Sequence, residues 1–222
     1  MRRIIAILPA LALAAGLSAQ SRNSATVTAP KVATKAAPKT PELPAMAPRP
    51  AGEFVIHMVD GPDKLLSSYR GKLVLMAFMF TTCPHCQHTS QLLSKIQTEY
   101  APKGVQILGV TIDQGAKQGI PGFIKITGAD FPVGYSDAPT ALKFMHVTPD
   151  KDWYVPMIAF IDQKGMVRAQ CVSFGEGGAP DEWLEAQDGD PSKGDKGSIR
   201  RELDKYLRTG ASAGSGRRAA AK

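Results

Sequence analysis

The chain has 222 residues, three cysteines and a formal net charge of +7. The positive charge is unevenly distributed, because residues 1–52 carry +6, residues 209–222 carry +3 and residues 53–208 carry −2. A nucleic-acid-binding protein would have a basic patch on its folded domain, so this distribution argues against nucleic acid as a partner. It leaves room for a weak contact between the basic N-terminal segment and an anionic membrane surface.

Residues 1–19 have the features of a secretory signal peptide. Arg2 and Arg3 precede an apolar run from Ile4 to Leu17, and small residues follow as far as Ala19. The run is shorter than the roughly 20 apolar residues that a membrane-spanning helix needs. We therefore expect export of the chain, with retention of this segment as a membrane anchor as the alternative.

Residues 20–52 are rich in Pro, Ala and Lys and contain few large apolar side chains. This composition predicts an extended, disordered tether. Residues 209–222 are rich in Gly and Ala and predict a disordered basic tail. One folded domain is therefore expected over residues 53–208.

Within residues 53–208, strand-like and helix-like patterns alternate, which predicts an α/β domain with a central sheet flanked by helices. The continuous apolar run of residues 73–80 indicates a central strand that is buried on both faces. A helix follows it, with apolar residues at 92, 93, 96 and 100. The other predicted strands are 54–59, 105–112, 156–161 and 167–174, and the other predicted helices are 120–127, 140–145, 199–207 and one turn near 181–186.

Cys83 and Cys86 form a C-x-x-C pair at this predicted junction between strand and helix. Such a pair is a structural disulfide, part of a metal site or a redox pair. A structural disulfide across two residues closes a very short loop and would add little stability. At a helix N-terminus, the free N–H groups and the helix dipole would stabilise a thiolate at Cys83, and the neighbouring His85 would assist. Pro84 suits the first helical turn, and Cys86 would then be the less exposed, resolving thiol.

A metal site is the alternative interpretation of the cysteine pair. A closed structural zinc site needs about four ligands, and this chain offers one cysteine pair, with His85 and His88 on the same short stretch and no second cysteine pair. The ligand count therefore argues against structural zinc. The C-x-x-C-H haem motif is broken by Gln87. Cu(I) could use the thiols with additional soft or imidazole ligands, and this alternative stays open. The candidate additional ligands are Met76, Met79, His57 and His146. Cys171, in a predicted strand, is expected to be a small buried side chain.

The residues 54–207 resemble the thioredoxin-fold oxidoreductases of the bacterial cell envelope, the TlpA/ResA-like branch near the AhpC/TSA superfamily. The matching features are the segment "YRGK" before the central strand, the junction "F-x-x-T-x-C-x-x-C", "GVQILGVTID" and "VPMIAFIDQKG". The resemblance implies a thioredoxin-like fold in the bacterial periplasm or cell envelope. It also implies that Cys83 attacks, that Cys86 resolves, and that Pro156 is the cis proline facing them, with the backbone of Val155 open to a client.

Three departures from the family pattern stand out. Thr82 occupies a position where the family commonly has Trp, and Ala77 occupies the position of the buried acid of thioredoxin, which leaves the proton acceptor of Cys86 unassigned. The Pro84-His85 dipeptide and Val155 are similar to those of DsbA-like oxidants. Surroundings that stabilise the thiolate stabilise the reduced form of the pair, so this similarity favours an oxidising couple.

The peroxiredoxin motif Pro-x-x-x-Thr-x-x-Cys is absent, since Met76 and Phe80 occupy the positions of its Pro and Thr.

The sequence therefore predicts an exported thiol:disulfide oxidoreductase that exchanges disulfides with protein clients and with an envelope redox partner. Its redox group would be the Cys83–Cys86 pair itself, without a bound cofactor or metal. The alternatives are a copper-binding or copper-delivery module that uses the same thiols, and a non-catalytic interaction domain of the same fold.

Overall fold

The computed structural model describes residues 42–150, 152–173, 181–190 and 196–215. The predicted signal peptide at 1–19, most of the predicted tether and the last seven residues of the predicted tail lie outside this part of the chain. Within it, none of the helices combines the length and the apolar character that crossing a membrane requires.

In the described part of the chain, the strands are β1 Arg49–Pro50, β2 Val55–Ile56, β3 Lys64–Leu65, β4 Leu73–Met79, β5 Val105–Thr111, β6 Val133–Tyr135, β7 Tyr154–Ile161 and β8 Met166–Ser173. Six of them form the main sheet, in the order β1-β8-β7-β4-β5-β6. Strands β4, β5 and β6 run parallel, whereas β7 is antiparallel to both β4 and β8, so the sheet is mixed. A separate two-stranded hairpin pairs β2 with β3.

Strand β4 is the central strand that its sequence predicts, and all seven of its residues are buried. Its side chains alternate between two cores on the two faces of the sheet. Leu75, Ala77 and Met79 face one core, and Met76 and Phe78 face the other. Because both faces are covered, an unbroken apolar run is the pattern that this position requires.

Among the described residues, five α-helices cover the sheet: α1 Pro84–Tyr100, α2 Ala116–Thr127, α3 Ala138–Met145, α4 Asp181–Glu185 and α5 Ser198–Ser215. Helices α1, α2, α4 and α5 contribute to the core that contains Leu75, whereas α3 contributes to the core that contains Met76. Trp183 of the short helix α4 is fully buried. The predicted α/β class, with a central mixed sheet and flanking helices, is confirmed.

The folded domain extends beyond the predicted boundaries on both sides. The tether predicted for residues 20–52 contains β1, which pairs with β8, and also the buried Leu43 and Ala51. A strand of two residues that includes a proline gives no alternating pattern, and proline is tolerated there because β1 is at the edge of the sheet. Helix α5 continues to Ser215, past the predicted end at residue 208. The strand predicted over residues 54–59 is also shorter, since only Val55–Ile56 pair in the hairpin.

Candidate active site

Cys83 caps the N-terminus of α1, as the sequence predicts. Strand β4 ends at Met79 and α1 begins at Pro84, so the cysteine is the N-cap residue, with extended backbone angles. Its thiol is partly exposed, and Thr82, Pro84 and His85 beside it are exposed. At this position the thiol is near the unpaired N–H groups of the first helical turn, which favour a negative charge.

Cys86 lies in the first turn of α1 and is fully buried. Its Sγ is 3.5 Å from the backbone N–H of Phe80, which donates to it. Burial is the largest cause that raises the pKa of the Cys86 thiol, and Cys83 and the charge of Asp113 raise this pKa further. The two thiols therefore differ sharply in exposure, as the predicted roles of an attacking and a resolving cysteine require.

Val155 and Pro156 are brought to the cysteine pair from a distant part of the sequence. The peptide bond between them is cis, as the resemblance implies. The Sγ of Cys83 is 3.9 Å from the carbonyl oxygen of Val155. Val155 lies in β7, before Met157, where the pairing of β7 with β4 begins. The backbone at Val155 is thus beside the sulfur of Cys83 and outside the register of β7 with β4.

Asp113 is a residue at this junction that the sequence analysis missed. It follows β5, and its carboxylate accepts two hydrogen bonds from Thr81, from the backbone N–H at 3.0 Å and from Oγ1 at 2.5 Å. The carbonyl oxygen of Thr81 accepts a further bond, at 3.1 Å, from Nε2 of Gln87. Since β4 and β5 are parallel, their carboxyl ends meet at one edge of the sheet, and that arrangement could have suggested the pairing.

A groove with a volume of about 1130 Å³ opens beside Cys83. Its lining includes apolar side chains from the end of β4 and the start of β7, and a second set of residues from α4 and the turn that follows it. The ring of Phe80 contacts that of Trp153 edge to face, with 6.0 Å between the centroids. The sequence predicts a turn near residues 181–186, but it does not place this segment beside the cysteine pair.

The additional copper ligands considered from the sequence are dispersed. Met76 and Met79 are fully buried on opposite faces of the sheet. His57 is 2.8 Å from a carboxylate oxygen of Asp63, and His146 ends helix α3. In the described part of the chain, no group of three or more His, Cys, Asp or Glu residues is arranged to hold a metal ion.

Cys171 is fully buried in β8, opposite Ile158 of β7. Its side chain belongs to the same core as Leu75 and Cys86. The sequence-based interpretation of Cys171 as a small buried core residue is therefore confirmed.

A mixed sheet, a C-x-x-C pair at the N-terminus of the helix after the central strand, and a cis proline beside the pair define a thioredoxin-like domain. The family model described as "AhpC/TSA family" matches residues 48–170, which is more than half of the chain. The chain belongs to the AhpC/TSA family. The chain is similar to TlpA/ResA-like proteins, as its sequence motifs suggest.

Individual proteins of known name are similar to the chain over part of its length. The thiol-disulfide oxidoreductase ResA of Geobacillus kaustophilus is 29% identical over 118 residues, which cover 53% of this chain and 64% of the relative. Protein DipZ of Mycobacterium tuberculosis is 31% identical over 114 residues, which cover 50% of this chain and 16% of that protein. The chain thus spans less than two thirds of the length of these relatives.

Solved structures share the fold. A thiol:disulfide interchange protein DsbE from Chlorobium tepidum aligns with a TM-score of 0.55 and 21% identity, covering 74% of this chain and 99% of that chain. A protein disulfide isomerase from Bacteroides thetaiotaomicron aligns with a TM-score of 0.53 and 20% identity, covering 76% and 94%. These similarities confirm the thioredoxin-like fold that the sequence predicts.

Proposed function

We propose that the chain is a thiol:disulfide oxidoreductase that acts through Cys83 and Cys86. The observation that carries this proposal is the pairing of a partly exposed thiol at the N-terminus of α1 with a buried thiol one turn further along. Similarity to relatives named thiol-disulfide oxidoreductase supports it.

In the reducing direction, the thiolate of Cys83 attacks one sulfur of a client disulfide. A bond forms between the two sulfurs, the client disulfide breaks, and the second client sulfur leaves as a thiolate that takes up a proton. Cys86 then loses its proton and attacks Sγ of Cys83, which releases the first client thiol and leaves a Cys83–Cys86 disulfide. Two electrons pass from the protein to the client, and the oxidising direction is the reverse of these steps.

The surroundings of Cys83 suggest how a client would be held. An extended client segment could form backbone hydrogen bonds with Val155, because Val155 lies outside the register of β7 with β4 and next to the sulfur. Pro156 would fix the direction of that backbone, and the exposed Thr82 would border the client where the family commonly has a larger ring.

The direction of electron flow depends on the reduction potential of the pair. The Pro84-His85 dipeptide is similar to that of DsbA-like oxidants, which favours an oxidising couple. We therefore expect a potential more oxidising than about −270 mV, the value typical of thioredoxin. Equilibration of the protein with glutathione buffers of graded composition measures this potential, and a thioredoxin-like value would contradict the expectation.

Export to the bacterial periplasm or cell envelope is part of the proposal, and it is based on the signal-like composition of residues 1–19. In that compartment, the partners would be protein thiols or disulfides and a redox partner that restores the pair. Secretion of a reporter protein fused to residues 1–19 in a bacterial host would test this part, and retention of the reporter in the cytoplasm would overturn it.

Activity on a disulfide-linked peptide tests the central proposal. We expect Cys83→Ser to abolish turnover, and Cys86→Ser to accumulate a mixed disulfide that is visible by mass spectrometry without reductant. Cys171→Ala is the matched control, because Cys171 is buried in the core and does not line the groove beside Cys83. Full activity of Cys83→Ser would overturn the proposal.

A Cu(I) titration of the reduced protein distinguishes the copper alternative. Tight one-to-one binding in the presence of a competing chelator, together with no disulfide exchange, would favour a copper module. Retention of the biological role by Cys83→Ser would instead favour a non-catalytic interaction domain.

A further inference from the structure

The groove beside Cys83 has lining residues from two separate parts of the chain. Phe80, Trp153 and Val155 give it apolar surface next to the sulfur. Leu184, Glu185 and Asp188 come from α4 and the turn after it. The surface that a client meets is therefore partly formed by a segment that follows the last strand of the sheet.

Hydrogen bonds hold this segment in place against α1. Oγ1 of Thr89 donates to Oε1 of Gln187 at 2.9 Å, and both side chains are buried. Nε2 of His88 is 2.6 Å from a carboxylate oxygen of Asp188. The fully buried Trp183 anchors α4 in the core. These contacts hold α4 and the turn after it at the groove, where the carboxylates of Glu185 and Asp188 belong to the lining.

Besides the imidazoles of His85 and His88, the charged groups that line the groove are the carboxylates of Glu185 and Asp188, and Asp188 contacts His88. Glu185 and Asp188 are exposed at its lining. Within the part of the chain that the structure describes, no lysine or arginine lines the groove. The segment 181–190 contains five Asp and Glu residues and no basic residue. Acidic side chains in a concave site raise the local concentration of cationic ligands and speed their association.

We propose that the groove selects client segments in which a basic residue lies within a few positions of the reactive cysteine. The client would lie extended, with its cysteine at Cys83, an apolar side chain against Trp153 and the basic side chain toward Glu185 and Asp188. This inference rests on the proposed oxidoreductase function and names the client chemistry that the groove fits.

Three peptides of equal length test the inference. Each carries one cysteine as a mixed disulfide with thionitrobenzoate, and the flanking positions are Arg, Gln or Glu. The reduced full-length protein attacks the peptide sulfur and releases the coloured thiolate, and Cys86 then frees the peptide thiol and leaves the protein disulfide. Each rate constant is divided by that of dithiothreitol with the same peptide, which removes differences in intrinsic reactivity.

We expect the Arg peptide to react about fivefold faster than the Gln peptide, and the Glu peptide to react slowest, as exposed ion pairs allow. The preference should disappear when salt is raised from about 0.01 M to about 1 M, because the Debye length falls from about 30 Å to about 3 Å. Glu185→Lys should abolish or reverse the preference. Asp60→Lys changes the net charge equally at an exposed position outside the groove and should retain it.

The possible results separate this inference from the proposed function. If the wild type reacts with no peptide, the oxidoreductase function itself fails. If the three peptides react equally, the function stands and the inference about client charge is overturned. If Glu185→Lys accelerates all three peptides to the same extent, a basic segment of the chain itself occupies the groove, and the inference is again overturned.

Discussion

The sulfur of Cys83 and the carbonyl oxygen of Val155 lie 3.9 Å apart, although 72 positions separate the two residues in the sequence. This contact joins the N-terminus of α1 to the start of β7 and leaves the Cys83 thiol partly exposed in the groove. Cys86 and Cys171, in contrast, are fully buried. The accessibility of the three thiols therefore differs in a way that chemistry can measure.

Alkylation of the native, fully reduced protein should modify Cys83 alone. Burial limits the access of the reagent to Cys86 and Cys171. The raised pKa of Cys86 also keeps this thiol in the less reactive protonated form. Mass spectrometry after brief treatment with iodoacetamide should show one adduct per chain, and three adducts after unfolding in denaturant. Native Cys83→Ser should remain unmodified over the same period, and rapid labelling of Cys86 in this variant would contradict the structure.

Thr81→Val should lower the free energy of unfolding by about 1–2 kcal/mol, because it leaves a carboxylate oxygen of Asp113 without its hydroxyl donor. Valine has nearly the same shape, so packing changes little. Thr81→Ser retains the hydroxyl and is the matched control, with a smaller expected loss. Urea unfolding of the three proteins gives the comparison, and equal stabilities for Val and Ser would show that the hydroxyl bond contributes nothing.

The elements of this fold that depend on neighbouring residues were predictable from the sequence. The continuous run of apolar residues in β4 indicates a strand that is buried on both faces. The spacing of Leu92, Leu93 and Ile96 indicates a helix with one buried face. The position of Cys83 at the junction follows from these two elements.

Contacts between distant residues were not predictable in the same way. Asp113 meets Thr81 across 32 positions, and Gln187 meets Thr89 across 98 positions. Neither pair leaves a periodic signal in the sequence. The first pair depends on the packing of the parallel strands β4 and β5, and the second depends on the packing of the segment after α4 against α1. The cis Val155–Pro156 bond and its place beside Cys83 were anticipated only through family resemblance.

The second step of the proposed reaction should accelerate with pH. Burial raises the pKa of Cys86, so the thiol is mostly protonated at neutral pH and the reactive thiolate is a small fraction. Below that pKa, each pH unit increases the thiolate fraction, and hence the rate of resolution, about tenfold. Quenching in acid at successive times, followed by mass spectrometry, gives the lifetime of the mixed disulfide from pH 6 to 9.

Asp113→Asn tests the electrostatic part of this pH dependence. The negative charge of Asp113 is one of the causes that raise the pKa of Cys86, so its removal should lower this pKa and shorten the lifetime of the mixed disulfide at a given pH. Thr81→Val leaves the charge in place and should not shift the profile. A longer lifetime in Asp113→Asn would instead identify Asp113 as the group that accepts the proton of Cys86.

Two glycines of α2 should respond oppositely to alanine. A Cβ at Gly119 would lie 2.7 Å from Oγ1 of Thr81, whereas a Cβ at Gly122 would have no neighbour within 4 Å. Thr81 cannot easily move away, since it is buried, β-branched and bound to Asp113. We expect Gly119→Ala to cost about 1–3 kcal/mol of stability through overpacking.

Gly122→Ala should instead stabilise the protein by roughly 0.5–1 kcal/mol, because alanine loses less backbone entropy than glycine when a helix forms. Since both substitutions add the same methyl group to the same helix, their difference reports the contact of α2 with the cysteine junction. Urea unfolding gives the two free energies, and the activity assay shows whether Gly119→Ala also displaces Cys83. Equal effects of the two substitutions would mean that α2 does not pack against Thr81.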